Sequence, residues 1–376
     1  MMLPLIPAII LSSIVTAVAC ALVGSFLMLR RMSMMGEAIG HAMLPGLVLG
    51  LLILGPMGSP QLVLGPAIIG LLMVVAVETL GKTRALAGDS ALGLIYPLLF
   101  SIGVILVSRR FAGLPITEHS ILIGDINFAA ATPLYAGELL LGPRPLVVMG
   151  AILIVNALFV ILFYKELKIT TFDPAFGVSG GFNPSIVHYT LMTLVSITIV
   201  GAFEAVGAVL VVALLIGPPA SAFLLTRRLH AMIALAALIG AGSAVAGFLL
   251  AYYTDSATSG TMAMMIGAVF LLVFLVAPKR GVVAHAFRLR RNRKHFAEQM
   301  LMLCLEHHGG GQHCPGGMDS ENIDSLALHI GWSREYTSEV VRRCINRRMV
   351  THHHGVFVLT PKGKDTVSSL SSDLVP

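Results

Sequence analysis

The sequence predicts an all-α, polytopic membrane protein of about nine transmembrane helices that ends in a small α+β domain of winged-helix type. Three observations support this fold class. The 376 residues are 56% hydrophobic and 12% charged, whereas an average soluble domain is about 25% charged. Apolar segments of bilayer-spanning length follow one another over residues 5–277. Most of the net positive charge lies beyond them, because residues 279–376 hold 14 basic and 9 acidic side chains.

The change of composition at residue 278 sets the predicted domain boundaries. Residues 1–278 hold 11 basic and 10 acidic side chains, so this transmembrane part is nearly neutral. Residues 279–294 are predicted to form a basic linker, and residues 295–376 a winged-helix-like domain. We therefore expect one domain in the lipid bilayer and a second domain in water.

The nine predicted spans are the segments that meet the length requirement of about 20 mostly apolar residues. They cover residues 5–29, 35–54, 61–80, 91–107, 145–164, 185–203, 205–225, 231–253 and 260–277. Small residues are frequent in several of these segments, and such residues permit close helix packing in lipid. Residues 109–144 are not assigned to a span, and they leave counts of eight or ten open.

The connections between spans predict the orientation of the chain. Basic side chains follow every odd-numbered span: Arg30, Arg31, Lys82, Arg84, Lys165, Lys168, Arg227, Arg228, Lys279 and Arg280. Cytoplasmic loops carry the excess of Lys and Arg. This predicts an outside N-terminus and a cytoplasmic C-terminal domain, and it leaves Arg109, Arg110 and Arg144 on the outer side.

The second predicted span carries a candidate metal site. Glu37 and His41 are four residues apart, so they share one face of a helix. Ionisable side chains inside a membrane are costly and often functional, and carboxylate with imidazole binds Mn²⁺, Fe²⁺ or Zn²⁺. Pro45 removes the helical hydrogen bond to the His41 carbonyl, which predicts a bend there. The alternative is a headgroup-level Glu37 and a His41 that bonds to a neighbouring helix. The chain's 19 methionines offer copper(I) as a weaker alternative.

Three motifs carry a resemblance to a known family. Residues 30–46 read Arg-Arg-Met-Ser-x-x-Gly-Glu-Ala-x-x-His-Ala-x-Leu-Pro-Gly, residues 172–177 read Phe-Asp-Pro-x-x-Gly, and residues 207–222 read Gly-x-x-Leu-Val-x-Ala-Leu-Leu-x-x-Pro-Pro-x-x-Ala. They resemble, in order, the motifs of the zinc/manganese/iron ABC-importer permeases. That family usually has Asp at position 37, Ala at position 177 and Ala at position 219. Residues Leu122–Ile126 resemble the same family more weakly.

The resemblance implies a type II-like permease in a bacterial cytoplasmic membrane that imports divalent manganese, zinc or iron. It implies three kinds of partner: ABC ATPase subunits, a second permease subunit, identical or a sister, and an extracytoplasmic metal-binding protein. It also places Glu37 and His41 on the path of the metal, which is cargo. No permanently bound cofactor is expected.

The segment after Phe172 is interpreted as the element that couples to the ATPase. Asp173 is a suitable N-cap and Pro174 suits the first helical position. Gly177 and Gly181 then offer a stop and a flexible exit. A short capped helix of this kind, with Phe176 at its centre, fits a cleft of an ATPase. An ordinary capped loop is the alternative.

The chain is not expected to be an enzyme. Gly81, Lys82 and Thr83 resemble the end of a phosphate-binding loop, but position 76 is Ala where that loop requires Gly. Energy must therefore come from a partner. Two other functions stay open: a membrane-anchored metal-responsive regulator, and a metal carrier driven by an ion gradient. Of the other polar residues, Glu78 and Glu204 are interpreted as interfacial, and His188 as a minor pathway candidate.

The order of apolar stripes and turns in residues 295–376 predicts a winged helix. Leu359-Thr-Pro-Lys-Gly363 resembles the end of the wing in metal-dependent repressors of the diphtheria-toxin-repressor type. The third helix begins with the candidate contact residues for DNA or a partner, namely Ser333, Arg334, Tyr336, Thr337, Arg342 and Arg343. Regulation of the permease is favoured over nucleic-acid binding, because a domain tethered to the membrane reaches a chromosome poorly.

Overall fold

A computed structural model describes residues 5–54, 64–82, 89–110, 126–136, 139–278, 281–308, 323–353 and 356–374. The chain divides into two compact units, Met1–Gly281 and Val282–Pro376. The division falls three residues after the change in composition. Residues 282–294, predicted as part of a linker, belong to the first helix of the second unit.

Over the residues that the structure describes, the first unit is a helical bundle with one small hairpin. Its helices are α1 (Leu5–Leu29), α2 (Ser33–Leu54), α3 (Leu64–Lys82), α4 (Asp89–Arg110), α5 (Ile126–Ala131), α6 (Arg144–Leu162), α7 (Tyr164–Phe172), α8 (Pro174–Ser179), α9 (Pro184–Val206), α10 (Ala208–Leu225), α11 (Leu229–Thr254) and α12 (Thr258–Val276). Strands β1 (Pro133–Ala136) and β2 (Leu139–Pro143) pair antiparallel between α5 and α6. The bundle is multi-pass, as the sequence predicts.

Within the described ranges, eight helices are long and apolar enough to cross a membrane, not nine. They are α1, α3, α4, α6 and α9–α12. The remaining predicted span, 35–54, forms α2, which is a helix of 22 residues with Pro45 inside it. Helix α2 carries Glu37 and His41. The predicted helix is therefore present, whereas its membrane-spanning character is not shown.

Helix α1 lies at the centre of the first unit. It packs against α6, α9, α10 and α11, and small side chains allow these helices to approach closely. A Cβ atom added at Gly24 would lie 2.1 Å from the carbonyl oxygen of Leu215, so only glycine fits there. The hydroxyls of Ser13, Thr16 and Ser25 donate to carbonyls one turn earlier, which satisfies polar atoms that water cannot reach.

In its described residues, the second unit contains four helices and a hairpin. In chain order these are α13 (Val282–His308), α14 (Ile323–Ile330), α15 (Arg334–Asn346), β3 (Val350–His353), β4 (Val356–Leu359) and α16 (Pro361–Leu374). Gly331, with φ of +75°, begins the turn between α14 and α15, and Ser333 caps α15 by accepting from the Tyr336 amide at 3.3 Å. The core of this unit is apolar and includes Leu301, Val340 and Cys344.

Candidate functional site

The predicted metal pair lies in the first two turns of α2. The Glu37 side chain is exposed, and His41 is partly exposed. The His41 ring lies beside two rings of α4, with centroid distances of 6.0 Å to Tyr96 and 6.4 Å to Phe100. In the part of the chain that the structure describes, His41 therefore meets its neighbouring helix through rings and not through a hydrogen bond. Pro45 has no N–H to donate to the His41 carbonyl, as expected.

The pair presents an incomplete ligand set. Among the described residues, no group of three or more His, Cys, Asp or Glu side chains converges on one point. The Glu37 carboxylate forms no ion pair with the Lys, Arg or His side chains that the structure describes. One carboxylate and one imidazole bind a divalent transition metal weakly and leave positions open for other ligands.

The capped helix predicted after Phe172 is confirmed. The Asp173 carboxylate accepts a hydrogen bond of 3.0 Å from the Phe176 amide, and Pro174 occupies the first helical position of α8. Gly181 has φ of +81°, a backbone conformation that glycine adopts at little cost. Gly177 is buried beneath this turn. The sequence therefore predicted the start of α8 and its exit at Gly181, whereas Gly177, predicted as a stop, lies inside the helix.

Phe172 at the end of α7 and Phe176 of α8 present apolar rings at the surface of the first unit. Phe172 is 60% exposed and Phe176 is 61% exposed. They line a shallow cleft together with Asp173, Lys165 and Lys168. Large exposed rings beside a charged rim are typical of protein-interaction sites.

A polar network that the sequence did not predict lies beside α8. The Arg30 guanidinium donates from Nη1 to His188 Nδ1 at 3.0 Å, from Nη2 to Thr170 Oγ1 at 3.1 Å and from Nε to Thr171 Oγ1 at 3.2 Å. His188 Nε2 pairs with the Glu78 carboxylate. Glu78, interpreted from the sequence as interfacial, thus has a defined partner.

Burial of this network affects its charge balance. Thr170 is 6% exposed, and the side chains of His188 and Glu78 are 18% and 20% exposed. Burial lowers the pKa of the Arg30 guanidinium, which stays charged because arginine does not deprotonate in proteins. The positive Arg30 and the negative Glu78 therefore offset each other across the His188 ring.

A second ion pair lies at the opposite end of α9 from His188. Arg144, the first residue of α6, pairs with Glu204 near the end of α9 at 2.5 Å. Asn156 and Thr198 join these two helices midway by a hydrogen bond of 2.7 Å. Arg144 was an exception to the predicted charge distribution. Its charge is offset locally by Glu204.

The candidate contact residues of α15 do not form one free surface. Thr337 is fully buried and donates to the Ser333 carbonyl at 3.0 Å. Arg334 pairs with Asp324 at 2.9 Å, and Arg343 pairs with Glu339 at 2.5 Å.

Tyr336 and Arg342, the two remaining candidates on α15, differ in their surroundings. The Tyr336 ring packs edge-on against Trp332 with a centroid distance of 5.3 Å, whereas Arg342 is exposed. Burial raises the pKa of the nearby Cys344 thiol to about 11, with the Glu298 carboxylate adding to the rise, so this thiol is protonated at neutral pH. Of the six candidates, Thr337 is buried within the unit, whereas Ser333, Arg334 and Arg342 are exposed.

The helical bundle, with eight candidate spans among the described residues, defines a multi-pass membrane protein. Residues 2–277 match the model of the ABC 3 transport family, and the chain belongs to that family. The family match ends close to the boundary between the two units.

Several characterised relatives are similar to this chain. The zinc transport system membrane protein TroD of Treponema pallidum is 39% identical over 357 residues, which cover 94% of this chain and 96% of TroD. The manganese transport system membrane protein MntD of Bacillus subtilis is 38% identical over 287 residues, which cover 76% of this chain and 97% of MntD. The alignment with TroD is longer than the family match, so it extends into the second unit.

A solved structure has a similar fold. PsaBC from Streptococcus pneumoniae in complex with Fab superposes with a TM-score of 0.64 at 27% identity, and the match covers 77% of this chain and 96% of that chain. The fold of the described bundle therefore also occurs in a solved structure.

Proposed function

We propose that this chain is the permease subunit of an ATP-driven importer for a divalent transition metal ion, namely manganese, zinc or iron. The observation that carries the proposal is the Glu37–His41 pair on α2, in a chain of the ABC 3 transport family. Relatives that are 38% and 39% identical are named as manganese and zinc transport proteins. The metal is the cargo of this permease and not a resident cofactor.

A second permease subunit would complete the metal path. One chain supplies two ligands from Glu37 and His41, which is fewer than the four or more that Zn²⁺ or Mn²⁺ prefers. Pairing two such subunits about a two-fold axis brings two copies of α2 to one pathway. Four protein ligands then meet the ion, whether the second subunit is identical or a sister. An extracytoplasmic metal-binding protein delivers the ion to this pair.

The orientation follows from the distribution of charge. With the N-terminus outside the bacterial cytoplasmic membrane, the basic ends of α1 and α3 and the basic residues of α7 face the cytoplasm. Arg144 lies on the outer side in this orientation, where basic residues are unusual. Its ion pair with Glu204 offsets this positive charge. With α2 as a ninth span beside the eight candidate spans, the same orientation puts the C-terminal unit in the cytoplasm.

The cytoplasmic partner of α8 is the ABC ATPase. The exposed rings of Phe172 and Phe176 would enter a cleft of that subunit, with Lys165 and Lys168 at the rim. The capped start at Asp173 and the tight exit at Gly181 keep α8 short and rigid, so that a movement of the ATPase is transmitted.

The C-terminal unit is proposed to be a regulatory winged helix. The order helix, helix, turn, helix, hairpin is that of a winged helix. Nucleic acid is the less favoured partner, because Thr337 is buried and Arg334 and Arg343 are paired within the unit. We favour a contact with a protein or the binding of cytoplasmic metal as the signal to which this unit responds.

A growth experiment tests the proposed function. Deletion of the gene in its host should prevent growth in chelated medium, and one of Mn²⁺, Zn²⁺ or Fe²⁺ should restore growth at high concentration. Accumulation of that metal, measured by mass spectrometry, should fall in the deletion strain and recover with a plasmid copy. Unchanged accumulation of all three metals would contradict the proposal.

Truncation after Gly281 should preserve transport and alter its regulation. The cut removes none of the eight candidate spans and neither Glu37 nor His41. We expect uptake to keep at least about half its rate while its response to cytoplasmic metal changes. Transport by full and truncated chains, matched for membrane content, measures both effects.

Two results would contradict the separation of a transport domain from a regulatory C-terminal unit. A truncated chain that inserts normally but does not transport would make the C-terminal unit part of the transport machinery. Tight binding of residues 282–376 to one promoter, with a steep loss of affinity as salt rises, would favour the nucleic-acid function.

A further inference from the structure

The network around Arg30 joins four separate helical elements. Arg30 directly follows α1, Glu78 lies on α3, Thr170 and Thr171 lie on α7, and His188 lies on α9. Helix α8 is inserted in the chain between α7 and α9. The elements on both sides of α8 are thus bonded to one guanidinium.

The hydrogen bonds define the protonation of this network. A guanidinium only donates, so His188 Nδ1 accepts and the ring proton lies on Nε2, where it is donated to the Glu78 carboxylate. The Thr170 hydroxyl donates to the Glu166 carbonyl at 2.8 Å, which leaves its oxygen to accept from Arg30. Each bond therefore has one donor and one acceptor, and the chain of bonds has a single direction.

The network also connects with the proposed metal path. Arg30 lies three residues before Ser33, where α2 begins, and α2 carries Glu37 and His41. Helix α3, which carries Glu78, packs along α2. A displacement of α8 that moves Thr170 or His188 must either break these bonds or shift the start of α2. Breaking them would leave a charge buried without its partner, which is costly.

We propose that Arg30, His188 and Glu78 are positioning residues that transmit movement of the ATPase-docking helix α8 to helix α2. They touch neither the metal nor the ATPase in this scheme. They keep the opening of the metal path in step with ATP hydrolysis. This inference rests on the proposed function, because it requires α8 to contact an ATPase.

Two substitutions of His188 divide the network into halves. The Asn side chain places an oxygen near the position of Nδ1, so His188→Asn retains an acceptor for Arg30 and loses the bond to Glu78. The Gln side chain reaches the position of Nε2, so His188→Gln retains a donor for Glu78 and loses the acceptor for Arg30. Neither variant changes the charge of Arg30 or of Glu78. Arg31→Gln is the control, because Arg31 is an exposed neighbour of Arg30 and carries the same charge.

The measurement is the amount of metal transported per ATP hydrolysed. Full complexes with the ATPase and the binding protein are placed in liposomes, and Mn²⁺ and Zn²⁺ are used in turn as probes. We expect both His188 variants to assemble and hydrolyse ATP, while the metal moved per ATP falls about fivefold or more, at the lower end of typical coupling energies. Arg31→Gln should retain the wild-type ratio.

A purely structural role predicts a different pattern. Transport and ATP hydrolysis would then fall in proportion with the amount of assembled complex, and the ratio would stay constant. A wild-type ratio in both His188 variants overturns the proposal. If these variants fail to assemble, the double variant Arg30→Gln/Glu78→Gln removes both buried charges together, and the same two outcomes decide.

A variant of α8 itself separates this inference from the proposed function. Asp173→Lys, measured in the same liposomes, should uncouple hydrolysis from transport if α8 docks on the ATPase. If Asp173→Lys lowers the metal transported per ATP and the His188 variants do not, the network does not transmit the movement, but the docking of α8 on the ATPase stands. No effect at either position rejects the docking of α8 as well.

Discussion

His41→Ala and Glu37→Ala are each expected to reduce metal uptake at least about 100-fold, since even residues that only support metal ligands cost 10–100-fold when changed. In the proposed site each chain supplies Glu37 and His41, and no third His, Cys, Asp or Glu joins them among the described residues, so the loss of one leaves half of the proposed ligand set. Both residues lie on α2 with partly open surroundings, so the variants should insert and assemble normally. Uptake of radioactive Mn²⁺ or Zn²⁺ by cells with matched membrane content measures the effect.

Two controls accompany these variants. Glu37→Asp keeps the carboxylate and should retain most uptake, because Asp is the residue usual in the family that this motif resembles. Met34→Ala changes an exposed side chain on the same helix, 66% exposed, and should transport normally. Normal uptake by both alanine variants at positions 37 and 41 would show that the metal takes another path. A large loss in Met34→Ala would instead favour a soft-metal cargo.

Asp173→Lys is expected to leave ATP hydrolysis in place and to abolish most metal uptake. The change removes the cap on the Phe176 amide, and loss of such a cap costs about 0.5–2 kcal/mol of local helix stability. It also puts a positive charge at the positive end of a short helix, which destabilises that helix further. A frayed α8 can no longer transmit a movement of the ATPase.

The matched control separates the cap from the charge. Asparagine is as good an N-cap as aspartate, so Asp173→Asn should keep the hydrogen bond to Phe176 and should transport at a nearly normal rate. Cross-linking from Phe176 should reach the ATPase in the wild-type complex. Cross-links that connect the ATPase only with other loops would contradict the docking of α8.

Local patterns were the part of this protein that the sequence predicted well. The helix start at Asp173 and Pro174 follows from two adjacent residues whose backbone preferences agree, and the structure has that start. Eight of the predicted spans follow from long apolar runs in the same way. Residues 109–144, which resisted assignment, contain the short helix α5 and the hairpin of β1 and β2 in their described part.

The network of Arg30, Glu78 and His188 escaped prediction for a physical reason. Its members are separated by 110 and 158 residues, and no periodicity of one helix relates them. Thr337 was misjudged for a related reason. Its position near a helix start suggests exposure, but its side chain turns back to the Ser333 carbonyl and is buried in the unit's own packing. Contacts between distant elements decide such roles.

Metal transport by the reconstituted complex is the measurement that tests the central claim most directly. The chain, its ATPase and its binding protein are placed in liposomes, with Mn²⁺, Zn²⁺ or Fe²⁺ on the binding-protein side. We expect uptake of at least one of these ions only while ATP is hydrolysed, and we expect the rate to survive ionophores that collapse ion gradients. Uptake that proceeds without ATP hydrolysis and stops when the gradients collapse would contradict the account, because it would identify the protein as an ion-gradient-driven carrier.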